Sequence, residues 1–237
     1  MRRALFVTGT GTDVGKTIVT ASLLRALRQR GINAATMKPV QTGAYLHDGH
    51  FVAPDLEVHW RGADWTPPAE QHSLMAPFLY EHACSPHLAA RESGRPIDTG
   101  TILAAADKLL EQYELLLIEG AGGLMVPLGE QRMMPELIRE LDCPTLLVAM
   151  TGLGTINHTL LSVNQLQSDG REIAGIVYCQ TAPAEDPAIE ADNPPMIEKL
   201  SACPTLGVLP YRATEAWDDW AASIGGLDRI LDITRAT

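Results

Sequence analysis

The sequence predicts an α/β protein: a doubly wound, mainly parallel sheet with helices on both faces. Three observations carry this. Short apolar runs recur along the chain, as strands buried on both faces should read. Stretches with apolar residues at helical spacing fall between them. Each run also ends in a polar or glycine-rich loop, and in such sheets ligands sit outside the carboxyl ends of the strands.

Ala4 to Thr8 is the first strand, apolar and stopping at glycines. Ile18, Ala21, Leu24 and Leu27 then mark a helix over 17–30 that ends at Gly31. Further strands are predicted at 33–37, 115–118, 145–150, 173–179 and 205–209, with helices at 101–112, 135–141, 155–167 and 195–201. Strand–helix alternation implies right-handed crossovers and hence parallel pairing. At 237 residues, with no linker-like or low-complexity stretch and no repeat, one domain over 1–237 is expected.

Composition narrows the function. Apolar residues at 46% and charged residues at 20% are ordinary for a soluble domain. The apolar run after Arg2 and Arg3 is too short for a signal-peptide core, and no run approaches membrane-span length. A net charge of −11 argues against nucleic acid or an anionic membrane as partner. Cys84, Cys143, Cys179 and Cys203 are widely separated and form no paired motif, so reduced thiols in a cytoplasmic protein are expected, without structural zinc. The histidines show no metal-binding spacing; His47, His50 and His59 are read as solvated in a polar loop.

The first loop carries the strongest chemistry. Gly9-Thr-Gly-Thr12-Asp13-Val14-Gly15-Lys16-Thr17 follows a strand and opens a helix. Glycines let backbone N–H groups curl around phosphate oxygens, and the helix N-terminus adds free donors and partial positive charge. Lys16 would reach the β- and γ-phosphates, and Thr17 would offer its hydroxyl to Mg²⁺. The fold is therefore expected to be of the P-loop nucleotide-binding type. The chain has only four lysines against fourteen arginines, yet Lys16 and Lys38 both stand in loops just after strands. A compact, flexible point charge suits a moving phosphoryl group.

Lys38-Pro39-Val40-Gln41-Thr42-Gly43 reads as a turn, with Lys38 either facing the phosphates or a developing anion, or merely capping a strand. Glu119-Gly120-Ala121-Gly122-Gly123 ends the most apolar strand; a carboxylate there resembles the position that orients Mg²⁺ in phosphoryl transfer. Asp55 follows Pro54 at a helix start, and either steadies that helix or serves as a further magnesium ligand. Ser85-Pro86 is a helix start. Gly152 to His158 opens another, whose free N–H groups could hold a carboxylate or could simply be capped. Trp217, Trp220, Ile224, Leu227 and Leu231 recur at helical spacing and are read as core or interface.

Taken together over about residues 4–212, these loops resemble the dethiobiotin synthetase family: the extended phosphate loop from Gly9 to Thr17, Lys38-Pro-Val, the isolated Asp55, Ser85-Pro-His, Glu119-Gly-Ala-Gly-Gly, and Gly154 to His158, in that order. The resemblance implies a homodimer that uses ATP, Mg²⁺ and CO2 to close a cyclic urea on the diamine 7,8-diaminononanoate. It implies Thr12 to Thr17, Gly120, Ala121 and Gly122 on the nucleotide, Lys16, Lys38 and Thr12 at the reacting groups, and Thr17, Asp55 and Glu119 on Mg²⁺. Cys179, Gln180, Leu209, Pro210 and Tyr211 would flank the nucleotide. Thr42 would face the substrate, and Leu153, Gly154 and Asn157 of the partner subunit would hold its carboxylate. Asp13 stands where the family often has Glu, and Cys179-Gln180 where it often has Asn-Asp, which leaves the choice of nucleotide open. No Ser/His/Asp or Cys/His constellation is evident, as expected of chemistry that relies on positioning and charge neutralisation. Replacing Lys38 by Ala, or removing Lys16, is expected to lower turnover by roughly a hundredfold or more with the fold intact.

Three other functions fit less well. A partition-type ATPase switch would carry a lysine early in the loop, and none lies between Gly9 and Gly15. A GTP-binding switch would show Asn-Lys-x-Asp, which is missing from the sequence. An amide-forming ligase of cobalamin synthesis shares the fold and stays as an alternative.

Overall fold

A computed structural model of the chain describes residues 3–184 and 186–235; the remainder of the domain expected over 1–237 lies outside the described residues. Strands β1 (Ala4–Gly9), β2 (Ala34–Met37), β7 (Leu115–Glu119), β8 (Thr145–Met150), β9 (Ile173–Cys179) and β10 (Thr205–Leu209) form one sheet, in the order β10-β9-β8-β1-β7-β2. Every pairing in it is parallel. Two small sheets stand beside it: β3 (Val40–Thr42) pairs in parallel with β6 (Phe78–Tyr80), and β4 (Tyr45–His47) with β5 (His50–Val52) as an antiparallel hairpin.

The inner strands β1, β7, β8 and β9 are mostly apolar because both faces are covered. Ala4 and Phe6 of β1 pack into one core, with Met37, Ile118 and Leu147; Leu5 and Val7 pack into a second, with Leu23, Leu27 and Leu117. Alternate side chains point to opposite faces, so in a strand with two buried faces every position favours an apolar residue. Leu5, Phe6 and Val7 are fully buried, each contributing about 1.5–3 kcal/mol.

Helices pack around the sheets: α1 (Lys16–Gln29), α2 (Pro54–Gly62), α3 (His72–Met75), α4 (Pro86–Ser93), which lies on β3 and β6, α5 (Thr99–Leu110), α6 (Met134–Leu141), α7 (Thr155–Ser168), α8 (Pro187–Ser201), α9 (Trp217–Ala222), which lies on α1, and α10 (Leu227–Arg235). Strand order reverses at β1, which lies between β7 and β8. That is the topological switch point, and the loop from β1 to α1 opens there. Among the described residues, no helix is long and apolar enough to cross a membrane.

Several predicted segments differ from the structure. Val40 to Thr42, read as part of a turn, is strand β3, because Phe78 to Tyr80 provides a partner too short to register as a strand by itself. Pro39 precedes the strand, where its missing N–H costs nothing. The hairpin β4–β5 occupies the stretch read as a polar loop; Asp48 (φ 49) and Gly49 (φ 80) make its two-residue turn, and both conformations are left-handed as such hairpins need. Helix α8 begins at Pro187 rather than 195, since the Asp186 side chain accepts hydrogen bonds from the N–H groups of Ala188 and Ile189. It runs through Pro194 and Pro195, held by packing against α7. In the tail, Trp217 and Trp220 lie on α9 and Leu227 and Leu231 on α10, with Ile224 bridged to Gly207 between them, and Trp220, Ile224, Leu227 and Leu231 are buried as core.

Candidate active site

The phosphate loop is shaped by contacts from below. Gly15 caps α1 with φ 96, a left-handed conformation that side chains other than glycine disfavour. A Cβ there would also come within 2.5 Å of the Cys179 Sγ, so β9 supplies the floor of the loop. Burial pushes the Cys179 thiol up to about 11, which makes it packing rather than chemistry. Asp13 takes φ 58, a conformation that aspartate tolerates better than most residues. Lys16 is buried, and its Nζ donates to the Gly11 carbonyl at 2.8 Å, folded back along the loop. Burial, with Lys38 nearby, lowers its pKa to about 8 despite the opposing pull of Glu119.

Behind the loop lies a cluster of charges. Lys38 follows β2 and Glu119 ends β7, and these strands are adjacent in register. The Lys38 Nζ lies 2.6 Å from Asp55 Oδ2 and 2.8 Å from Glu119 Oε1, and donates to the Gly120 carbonyl at 3.1 Å. Thr17 Oγ1 donates to the same Glu119 Oε1 at 3.1 Å. Burial alone would push the Glu119 carboxyl up, but Lys38 and His59 hold it well below the usual carboxylate range. Burial alone would likewise lower Lys38, and Glu119 and Asp55 together raise it instead. Thr17, Asp55 and Glu119, far apart in sequence, thus bring one hydroxyl and two carboxylates together. These are hard oxygen donors of the kind Mg²⁺ selects beside phosphate groups, so the residues fit that ion.

A cavity of about 710 Å³ joins both parts. Thr12, Asp13, Gly15, Lys16, Thr17, Lys38, Thr42, Asp55, Glu119, Ala121 and Gly122 all line it. Val14 does not; its side chain is buried in the core on the α1 side of the sheet. Gly120 contributes its carbonyl to Lys38 and its N–H to Val7. Ser85 sits at the N-cap of α4 as read, but its hydroxyl makes no capping bond, and the residue lines the cavity.

The remaining predicted residues lie elsewhere. A second hollow of about 290 Å³ is lined by Leu153, Cys179 and Gln180 together with Thr151 and Glu190. There the Gln180 carboxamide is fixed at both ends: Nε2 donates to Glu190 at 2.8 Å, and Oε1 accepts from the Tyr211 N–H at 3.2 Å. Leu209 points its side chain into the core while its carbonyl accepts from Gln180 N–H; the Pro210 carbonyl accepts from Trp220 Nε1. Gly154 caps α7 in a left-handed conformation, and Asn157 is exposed on that helix. Leu153 is 91% exposed at the tip of the same loop.

One residue of the site escaped the sequence reading. His59, taken as solvated, is completely buried on α2, with Nε2 2.6 Å from Glu119 Oε2. The signal was present: once a helix starts at Pro54, Asp55 and His59 are four residues apart and share one face. The His47 and His50 side chains, by contrast, are exposed as read.

Comparisons with known proteins point to the family. A family described as an AAA domain matches residues 3–217. The ATP-dependent dethiobiotin synthetase BioD of Anoxybacillus flavithermus is 39% identical over 210 residues, covering 88% of this chain and 92% of that protein. Its namesake in Bacillus subtilis subsp. natto is 35% identical over 213 residues, covering 89% and 88%. Among solved structures, the MinC:MinD cell division complex of Aquifex aeolicus superposes with TM-score 0.58 at 13% identity, covering 98% of this chain and 94% of that one. The septum site-determining protein MinD complexed with Mg-ADP from Pyrococcus horikoshii does so with TM-score 0.57 at 16% identity, covering 99% and 95%. Those two likenesses speak for the fold alone. On the strength of the sequence relatives, the chain belongs to the dethiobiotin synthetase family.

Proposed function

We propose that this chain, acting as one domain, uses ATP to close the cyclic urea of dethiobiotin from 7,8-diaminononanoate and CO2, a step of biotin biosynthesis. The observation that carries the reading is a single cavity holding a phosphate loop, two buried lysines and a pair of carboxylates. Such a set neutralises charge on a phosphoryl group and on a second anion beside it.

The reaction balances in three steps. One amine adds to CO2, forming an N–C bond and releasing a proton to water, which leaves a carbamate. A carbamate oxygen then attacks the γ-phosphorus, breaking the bond to ADP and giving a carbamic–phosphoric anhydride. Finally the second amine attacks the carbamate carbon; the C–O bond to phosphate breaks, phosphate departs, and the ring closes with loss of a proton.

In this reading Lys16 swings from the Gly11 carbonyl to the β- and γ-phosphates, while the Lys38 ammonium faces the carbamate anion. Thr12 donates from the loop toward the transferred group, and Thr42 lies on the substrate side. Thr17, Asp55 and Glu119 would hold Mg²⁺, which supplies charge neutralisation on the phosphates. Gln180, with Tyr211 beside it, would face the base. A homodimer is supported by the exposed Leu153 and Leu161 on the loop and first turns of α7. Leu153, Gly154 and Asn157 of the partner subunit would then close over the substrate carboxylate. A cytoplasmic setting is supported by four free cysteines.

The test is incubation with Mg-ATP, carbon-labelled bicarbonate and the diamine. Labelled dethiobiotin that requires both ATP and diamine is expected. ATP hydrolysis indifferent to the diamine, without labelled product, would overturn the assignment and favour a nucleotide-driven switch.

A further inference from the structure

We infer that His59 is a positioning residue for Glu119, holding one carboxylate oxygen so that the other is presented to the metal and the phosphates. The inference rests on the reading of Glu119 as a magnesium ligand.

Glu119 has two oxygens in different surroundings. Oε1 faces the cavity, where Thr17 Oγ1 and Lys38 Nζ both reach it, at 3.1 and 2.8 Å. Oε2 faces away from them, toward α2, and meets His59 Nε2 at 2.6 Å. An ionised carboxylate only accepts hydrogen bonds, so the proton of this contact sits on Nε2. The imidazole is fully buried and Glu119 is 1% exposed, so water does not stand in for either partner. Among the described residues His59 Nδ1 has no hydrogen-bond partner, and the Glu119 contact is the one polar tether of the ring.

An apolar side chain would fill the same volume more cheaply. A buried imidazole at this position makes physical sense because Oε2 would otherwise be a buried acceptor without a donor. The same helix that carries His59 also carries Asp55, one turn earlier. A single rigid element therefore places one carboxylate of the metal set and orients the other. Partners that hydrogen-bond a metal-ligating carboxylate commonly affect metal affinity or activity by roughly 10–100-fold when removed.

The experiment measures Mn²⁺ binding by electron paramagnetic resonance, with a non-hydrolysable ATP analogue present, in the native protein and in H59L, H59Q and E119Q. H59L keeps an apolar volume and loses the donor, while H59Q can place an amide N–H near the position of Nε2. The expected result is Mn²⁺ affinity weakened roughly 10–100-fold in H59L, restored to within a few-fold in H59Q, with metal-free binding of the analogue unchanged in both. Native Mn²⁺ affinity in folded H59L would overturn the role of His59. So would a loss in H59Q as large as that in folded H59L; if H59L does not fold, H59Q against the native protein decides, and a loss of roughly tenfold or more there overturns the role. E119Q separates this from the underlying reading. If E119Q abolishes Mn²⁺ binding, an unaffected H59L sinks the His59 role alone. If E119Q binds Mn²⁺ normally, the assignment of Glu119 falls, and the role of His59 with it.

Discussion

Lys38 and Glu119 form a buried ion pair of 2.8 Å at the carboxyl ends of two adjacent strands. Strands β2 and β7 are paired with Met37 opposite Ile118, so the residues that follow meet at the cavity that the phosphate loop also lines. This pair joins the stability of the protein to its chemistry, because each partner neutralises the other where water does not reach.

Replacing Lys38 by Ala therefore does two things. Turnover falls by roughly a hundredfold or more, as for loss of a group that stabilises a developing charge. Stability falls as well, by about 3–5 kcal/mol, because Glu119 is left as a buried charge with one cation fewer. The sequence alone suggested an intact fold for this variant; the burial of the pair changes that expectation. Urea unfolding checks it, and a native midpoint for K38A would contradict the role given to the pair.

The pair also sets a pH dependence. The Glu119 carboxyl is held below its unfolded value, so its contribution is full above the unfolded pKa of about 4.5. As pH falls below that value, the unfolded chain takes up a proton that the native protein refuses, and stability declines. Thermal unfolding of native protein should show this acid-side loss, and E119Q should flatten it.

Lys16 gives a signal on the alkaline side. Its pKa of about 8 in the ligand-free protein means the ammonium is half lost there. ATP binding should weaken as pH rises through about 8, with net proton uptake on binding just above that pH. Calorimetry in buffers of different ionisation heats measures both. The stability effect has the opposite sense: between about 8 and 10.5 the unfolded chain holds more protons, so Lys16 favours folding more as pH rises.

Gly15→Ala should abolish ATP binding. The new methyl meets Cys179 Sγ at 2.5 Å and is held at φ 96. Cys179→Gly removes both the Sγ and the Cβ, which would lie 2.5 and 2.7 Å from that methyl, but not the backbone conformation, which costs roughly 1–2 kcal/mol on its own. Gly15→Ala should therefore cost less stability in the Cys179→Gly background, measured against Cys179→Gly alone, than in the native protein. An equal cost in both would show that the loop is not seated on Cys179.

Leu153→Glu tests the proposed homodimer. The residue is 91% exposed, so unfolding of the single chain should change by no more than about 0.5 kcal/mol. Sedimentation should show a weakened dimer, and KM for the diamine should rise roughly tenfold or more if the interface residue is worth over 1 kcal/mol. A native dimer with native KM would remove Leu153 from the substrate site.

Much of this was legible beforehand for a physical reason. Strands buried on both faces carry nearly continuous apolar runs, so β1, β7, β8 and β9 stood out, and with them the loops at their carboxyl ends. Lys16, Lys38 and Glu119 could be singled out because charged residues next to such strands are uncommon. Elements defined by tertiary partners were harder. β3 exists because β6 lies beside it, and α8 continues through Pro194 and Pro195 because α7 supports it. His59 was hidden because its neighbourhood is rich in polar residues, while its burial is decided by the carboxylate across the sheet edge.

The most direct test of the central claim follows oxygen rather than carbon. With oxygen-18 bicarbonate, over a time short against its exchange with water, the carbamate carries two labelled oxygens. If carbamate attacks the γ-phosphate and the second amine then cleaves the C–O bond, one labelled oxygen leaves in phosphate and the other stays in the urea carbonyl. Mass spectrometry of both products should find label in each, in equal amounts. Phosphate free of label, with labelled dethiobiotin, would show that the carbamate is not activated by phosphoryl transfer and would contradict the account.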